Sequence, residues 1–380
     1  MNKRALAVGA VVAALSVAAP SGMHLGPGQA FGKPGVTVRL LSSVNVPDDF
    51  VFDGQLVGGL SGIDFRPVEQ TYLAISDNRG ESGPVRAYTL RLPIDKDGKL
   101  GTPEFQRQIL LKDTDGTPYA PRSIDPESIR WNPNGQSMIY TSEGEAKVGR
   151  PGFIREAALD GGFIRDIPVP DAFTPRLDGG QVVSGIRDNL GFEAMDLPQG
   201  GSSVVAVSEN ALAQDGPAAS PDAESRARFV GLNSHDGADI AEYIYPVDRV
   251  APGGVPAATG ISEILADGAD RFLTLERSMI PNVGFTARIY STSTAGATPV
   301  TGAAVAPANA TPMSKELLFD FRAAGIDPQC VEGITRGPTV NGQRTLVVVS
   351  DNNFGVVGKT MFHLLAVDSG FPGVGTGSAG

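Results

Sequence analysis

Cysteine occurs once in this 380-residue chain, at Cys330, so no intrachain disulfide can form and packing must hold the fold. Histidine occurs only at positions 24, 235 and 363. A zinc centre with several histidine ligands, or a histidine-based phosphatase, is hard to build from so few. No Gly-x-Ser-x-Gly string is present, which removes the usual α/β-hydrolase nucleophile. No glycine-rich loop leads into a helix to cradle a nucleotide's phosphates. Basic charge is short, with 31 Lys and Arg against 42 Asp and Glu and a formal net charge of −11. Nucleic acid and anionic membranes call for a basic surface, so neither is expected as a partner.

Long apolar runs are also missing, except at the N-terminus. There Lys3 and Arg4 precede an apolar stretch from Ala5 to Ala19. It is short and alanine-rich for a membrane span and reads as an export signal, with cleavage near Ala18 or after Ala30. A retained anchor is the alternative. Residues 1–30 are therefore read as a leader, 31–370 as one domain and 371–380 as a flexible tail. The mature protein is expected to be exported, without a membrane span, and monomeric.

What the chain does have is a repeat. Asp125-Pro126-Glu127-Ser128-Ile129 with Tyr140-Thr141-Ser142-Glu143 matches Gly191-Phe192-Glu193-Ala194 with Val207-Ser208-Glu209-Asn210. Ile261-Ser262-Glu263 with Thr274-Leu275-Glu276, and Cys330-Val331-Glu332 with Val349-Ser350-Asp351, continue the series. The first copy is Ser61-Gly62-Ile63 with Ile75-Ser76-Asp77. The first markers (61, 127, 193, 263, 332) step by 66, 66, 70 and 69 residues, and the second (77, 143, 209, 276, 351) by 66, 66, 67 and 75. Two independent markers keep one period, which is the signature of a repeat architecture.

Each period holds short segments rich in β-branched and aromatic residues, bounded by Gly, Pro or Asn. In the second copy these are 127–131, 138–142, 153–159 and 163–169; in the third, 191–197, 203–209, 227–233 and 240–247. Only 315–324 carries a helical pattern. Four strands per repeat is the blade of an all-β propeller. The fifth copy ends after three strands near 361–368, and residues 36–46 can supply the fourth. The expectation is five four-stranded blades closed by the N-terminal strand. Six blades is the rival, with a diverged blade inside 213–225 or 296–312.

First strands line a propeller's channel, so Ser61, Glu127, Glu193, Glu263 and Glu332 should converge, with Asp77, Glu143, Glu209, Glu276 and Asp351 as a second tier. So many carboxylates need counter-charges: hard cations held through oxygen, or basic side chains. Arg86, Arg155, Arg228, Arg288 and His363 begin the third strands, while Arg79, Arg277 and Arg336 sit close to the acids in sequence. Arginine staples carboxylates and also suits phosphate, so both readings stand. The loops at 77–80 and 351–355 add Asn78, Asn352 and Asn353, as cation ligands or as turn formers. Asn189 and Asn210 carry the same two readings. Cys330 is expected to be a packed thiol and His235 part of a hairpin turn.

The ordered strings Ser61-Gly62-Ile63-Asp64, Ile75-Ser76-Asp77-Asn78-Arg79, Asn189-Leu190-Gly191-Phe192-Glu193-Ala194, Val207-Ser208-Glu209-Asn210-Ala211-Leu212, Leu275-Glu276-Arg277 and Val331-Glu332-Gly333-Ile334-Thr335 resemble the bacterial phytase-like family, named for esterase-like activity of phytase. The resemblance runs from about Val36 to Val367. It implies an exported propeller that hydrolyses small phosphate esters with Ca²⁺ assistance. Asp77, Glu143, Glu209, Glu263, Glu276, Glu332, Asp351 and Asn352 would hold Ca²⁺. Glu127 or Glu193 would act as general base, and Arg79, Arg277 and Arg336 would steady developing charge. A non-enzymatic binding propeller, and a propeller lactonase or carboxylesterase, are the competing readings.

Overall fold

A computed structural model describes residues 37–250, 258–280 and 282–368 of the chain. The leader with His24, and the tail 371–380, lie outside the described residues. Among those described, no helix is long and apolar enough to cross a membrane.

Five four-stranded antiparallel sheets form the body. Blade 1 comprises Leu60–Arg66, Thr71–Ser76, Arg86–Arg91 and Glu104–Leu110. Blade 2 comprises Pro126–Trp131, Ser137–Ser142, Phe153–Ala158 and Phe163–Ile167. Blade 3 is built from Phe192–Asp196, Ser203–Ala211, Ser225–Asn233 and Asp239–Val247. Blade 4 is built from Ala258–Ala266, Arg271–Ile280, Gly284–Ser293 and Ser314–Asp320. Blade 5 takes Cys330–Val340, Gln343–Asp351 and Met361–Val367 from the chain's end and Val38–Asn45 from its beginning. That last strand pairs antiparallel with Met361–Val367, from Val38 opposite Val367 to Asn45 opposite Met361. The five first strands adjoin in ring order. Pairing the two chain ends in one sheet removes an exposed strand edge.

The segments 213–225 and 296–312 contain no further blade. The second instead lies along the outer strand of blade 3: Val300 N donates to Glu242 O and Met313 N to Ile244 O, with Val300, Ala306 and Ala310 packed on Ile244. The helical pattern at 315–324 is overruled, because Ser314–Asp320 forms the outer strand of blade 4. The core lies between blades: Ile63, Tyr72, Val347 and Phe362 share one apolar cluster, and Leu275, Ile289, Val331 and Val348 another.

One irregularity recurs in every blade. The ladder between first and second strands skips a step between Leu60 and Gly62, Pro126 and Ile129, Phe192 and Ala194, Ile261 and Glu263, and Val331 and Gly333. Each is a β-bulge, which leaves an extra residue unpaired and turns its side chain. The unpaired residues are Ser61, Glu127 with Ser128, Glu193, Ser262 and Glu332.

Candidate active site

The bulges set the register of the channel. In blade 3 Phe192 faces Ser208, and in blade 5 Val331 faces Ser350, so Glu209 and Asp351 follow as equivalents. In blade 4 Ile261 faces Glu276. The fourth counterparts are therefore Ser262 and Arg277, one residue away from the Glu263 and Glu276 that spacing suggests. Because strand side chains alternate, a one-residue shift sends each to the opposite face.

Glu263 and Glu276 accordingly have other partners. Glu263 is fully buried beside Arg130, 3.0 Å from its Nη1, and accepts from Ser128 Oγ at 2.8 Å and Met195 N at 3.1 Å. Arg130 also reaches Asp196 (3.1 Å) and the carbonyls of Ile63 (3.1 Å) and Ile264 (2.8 Å). This one guanidinium ties together blades 1, 2, 3 and 4. Glu276 sits between blades 3 and 4, accepting from Tyr245 OH at 2.6 Å and from Lys315 Nζ at 2.5 Å.

The remaining carboxylates do converge. Asp125, Glu127 and Glu143 bring ligand oxygens within 4.8 Å of one another, and so do Glu143, Glu193 and Glu209. Glu143 belongs to both groups. Asp77, Glu332 and Asp351 adjoin them, since their charges act on one another and on this cluster. Burial, reinforced by neighbouring carboxylates, pushes Asp125 and Asp351 up to about 8 and Glu143 and Glu209 up to about 7. The same causes hold Asp77, Glu127 and Glu193 well above the usual carboxylate range.

Two arginines answer these acids. Arg277 lies 3.5 Å from Glu193, 3.7 Å from Glu209 and 3.5 Å from Glu332. Arg79 grips Asp125, with Nε 2.7 Å from Oδ1, and donates to Asn189 Oδ1 at 2.7 Å. Its side chain is 27% exposed, whereas that of Arg277 is 16% exposed, so Arg79 is the more open to solvent. Several buried polar atoms at the cluster lack a hydrogen-bond partner: Asp77 Oδ1, Asp351 Oδ2, Asn352 Nδ2 and Arg277 Nε. Asn352 Oδ1 accepts from Phe354 N and Gly59 N, so this amide closes its turn and leaves its Nδ2 unpaired. An oxygen-rich set with unpartnered, deeply buried carboxylate oxygens fits a hard cation such as Ca²⁺.

The other basic residues lie elsewhere. Arg336 sits four residues along the strand from Glu332, roughly 13 Å at strand rise, and donates to Ala266 O. The third-strand residues do not pair with the tiers, because a third strand lies about 10 Å from the first. Arg155 binds Asp166, Arg228 binds Asp215 and Glu242, and Arg288 binds Asp320. Arg86 binds Tyr88 OH and backbone carbonyls, and His363 Nδ1 meets Ser43 Oγ. Asn210 closes a turn by accepting from Ala219 N. His235 lies in the turn from Asn233 to Asp239, and buried Cys330 donates to Glu332 Oε1 at 3.2 Å. Asp125 was overlooked because no other copy has an acid there. Its signal was the two-residue step to Glu127, which keeps both on one face of an extended segment.

Residues 55–354 match the family described as Phytase-like, "Esterase-like activity of phytase". No curated protein matches the chain in sequence. Among solved structures, the N-terminal domain of Nup159 is 8% identical with a TM-score of 0.36, covering 90% of this chain and 98% of its own. A protein of unknown function from Dyadobacter fermentans is 11% identical with a TM-score of 0.37, covering 89% and 100%.

Proposed function

Because the chain belongs to the phytase-like family, we propose that it is an exported hydrolase of small phosphate esters that works with Ca²⁺ at the acidic mouth of the channel. The observation that carries this is the convergence of Asp125, Glu127, Glu143, Glu193 and Glu209 with orphaned oxygens on Asp77 and Asp351. Cation binding would compensate these buried carboxylates, which arginine compensates only in part.

Asp125, Glu127, Glu143, Glu193 and Glu209 would hold the cation, with Asp77 and Asp351 completing the acidic wall. When bound, Ca²⁺ would supply charge for the phosphate oxygens and acidify a coordinated water. Arg79 would orient the ester, since its fork is the more solvent-open and suits phosphate oxygens. Arg277 would keep Glu193, Glu209 and Glu332 nearer their ionised form. Whichever of Glu127 and Glu193 is not engaged by the cation would accept the proton of the attacking water.

The test is turnover of chromogenic phosphate and carboxylate esters by the purified protein, before and after EDTA and again after Ca²⁺. Phosphate-ester turnover that disappears and returns supports the proposal. Turnover of carboxylate esters alone makes it an esterase or lactonase. No turnover on either panel, with Ca²⁺ bound, makes it a binding propeller.

A further inference from the structure

A recess of about 720 Å³ opens where the first strands finish, at the end of the channel opposite the acidic cluster. Asp196, on its rim, lies three residues along the strand from Glu193, about 10 Å at strand rise. The floor belongs to a single inter-blade core. Leu265 and Leu273 of blade 4, with Leu346 and Val367 of blade 5, are buried members of the apolar cluster between those two blades. No residue of the acidic cluster lines the recess.

The charged side chains around that floor balance. Asp196 and Asp267 stand against Arg336 and Arg344, two of each sign. Asp196 is already held, by Arg130 at 3.1 Å and by Ala266 N. Arg336 gives one N–H of its exposed, five-donor fork to Ala266 O. Asp267 is the group left wanting, because it is only 9% exposed and its Oδ2 has no hydrogen-bond partner. Burial pushes its carboxyl up to about 6, even with Arg336, Arg344 and Arg271 nearby. At pH 8 it is therefore ionised and short of a donor.

These features select a ligand. An ionic head group entering here would meet a like charge for each opposite one. It would also give up its hydration, which costs far more than desolvating a hydroxyl. A hydroxyl both donates and accepts, so one such group can serve a carboxylate and an arginine together. The leucine and valine floor takes an apolar body, in a volume typical of small-molecule sites.

We infer that this recess binds a compact, uncharged apolar alcohol, its hydroxyl donating to Asp267 and accepting from Arg336, its carbon skeleton on Leu265, Leu273 and Leu346. Nothing here depends on Ca²⁺ or on hydrolysis at the other end.

Isothermal titration of the full chain with 1-adamantanol, at pH 8 in EDTA, tests this. One molecule should bind per chain. Three analogues on the same skeleton separate the contributions. The methyl ether, which cannot donate, and the carboxylate and ammonium, which carry charge, should each bind at least about tenfold more weakly. Asp267→Ala should lose about tenfold in affinity with unchanged thermal unfolding, because the carboxylate it removes is an unsatisfied one. Thr339→Trp, at an exposed position of the wall, should block the recess. Absence of saturable binding up to about 2 mM, unchanged affinity in either variant, or equal or tighter binding of any of the three analogues overturns the inference.

Discussion

Arg277 Nε lies 3.5 Å from Glu332 Oε1, joining blade 4 to blade 5 across the channel mouth. It occupies the seat that carries Asp77, Glu143, Glu209 and Asp351 in the other blades. A ring that would be acidic throughout is thereby broken by a positive charge at one point.

Replacing it with Arg277→Gln should destabilise the cation-free protein at pH 7 by about 1–3 kcal/mol. This is below the usual cost of breaking a buried pair, because the abandoned carboxylates can take up protons. At pH 5 Glu209, pushed up to about 7, is largely protonated already, so the loss should shrink. Urea unfolding at both pH values checks this; an equal loss at each would contradict the charge-based role.

Glu263 and Glu193 should separate when each is changed to Gln. Glu263→Gln strips a charge from Arg130 and should cost about 3–5 kcal/mol in unfolding free energy, with Ca²⁺ affinity little altered. Glu193→Gln should weaken Ca²⁺ binding by at least about tenfold, with a smaller effect on stability. Calorimetry on both variants decides whether the carboxylate that holds Arg130 and the one at the channel mouth do different jobs.

The acidic cluster also predicts how stability follows pH. Asp125, Asp351, Glu143 and Glu209 bind protons more tightly folded than unfolded. Their contribution is therefore fully present below about pH 4 and is lost as pH rises toward 8. Cation-free protein should weaken by about 1.4 kcal/mol per pH unit for each extra proton held by the folded state. Ca²⁺ should reverse the trend, since it binds the ionised form, and its affinity should rise with pH. Denaturation midpoints from pH 5 to 8, with and without Ca²⁺, measure both slopes.

Gly59 adopts φ +66°, and a Cβ there would collide with Asp77 Oδ1. Gly59→Ala should cost about 1–2 kcal/mol through backbone strain and weaken Ca²⁺ binding by displacing Asp77. Gly54→Ala, at φ +75° with open space around it, should carry the backbone cost alone. Equal Ca²⁺ affinity in the two variants would remove Asp77 from the site.

Much of the architecture could be read from the chain. The steps of 66 residues gave the blades, and the β-like stretch before Ser61 correctly supplied the closing strand, Val38–Asn45. The fourth copy misled because Glu263 and Glu276 are the right residue type one step from the right place. Alternation then sends them to Arg130 and to Lys315. Sequence spacing carries no sign of where a ladder skips. The third-strand arginines misled for a related reason, since recurrence at one place in each repeat does not bring a side chain across two strand spacings to the channel. Arg79 and Arg277 do lie against the acids, because their sequence neighbours are at the mouth itself. The segment at 315–324 shows tertiary pairing overriding a local helical pattern.

The recurring bulge has a consequence for altering the protein. A residue outside the ladder owes the sheet no paired backbone contact, so its side chain can change without loosening the blade. Ser61 and Ser262 show that a hydroxyl fits where Glu193 and Glu332 carry carboxylates. The five positions act as sockets around a fixed frame, and the charge of the channel mouth can be rewritten one socket at a time.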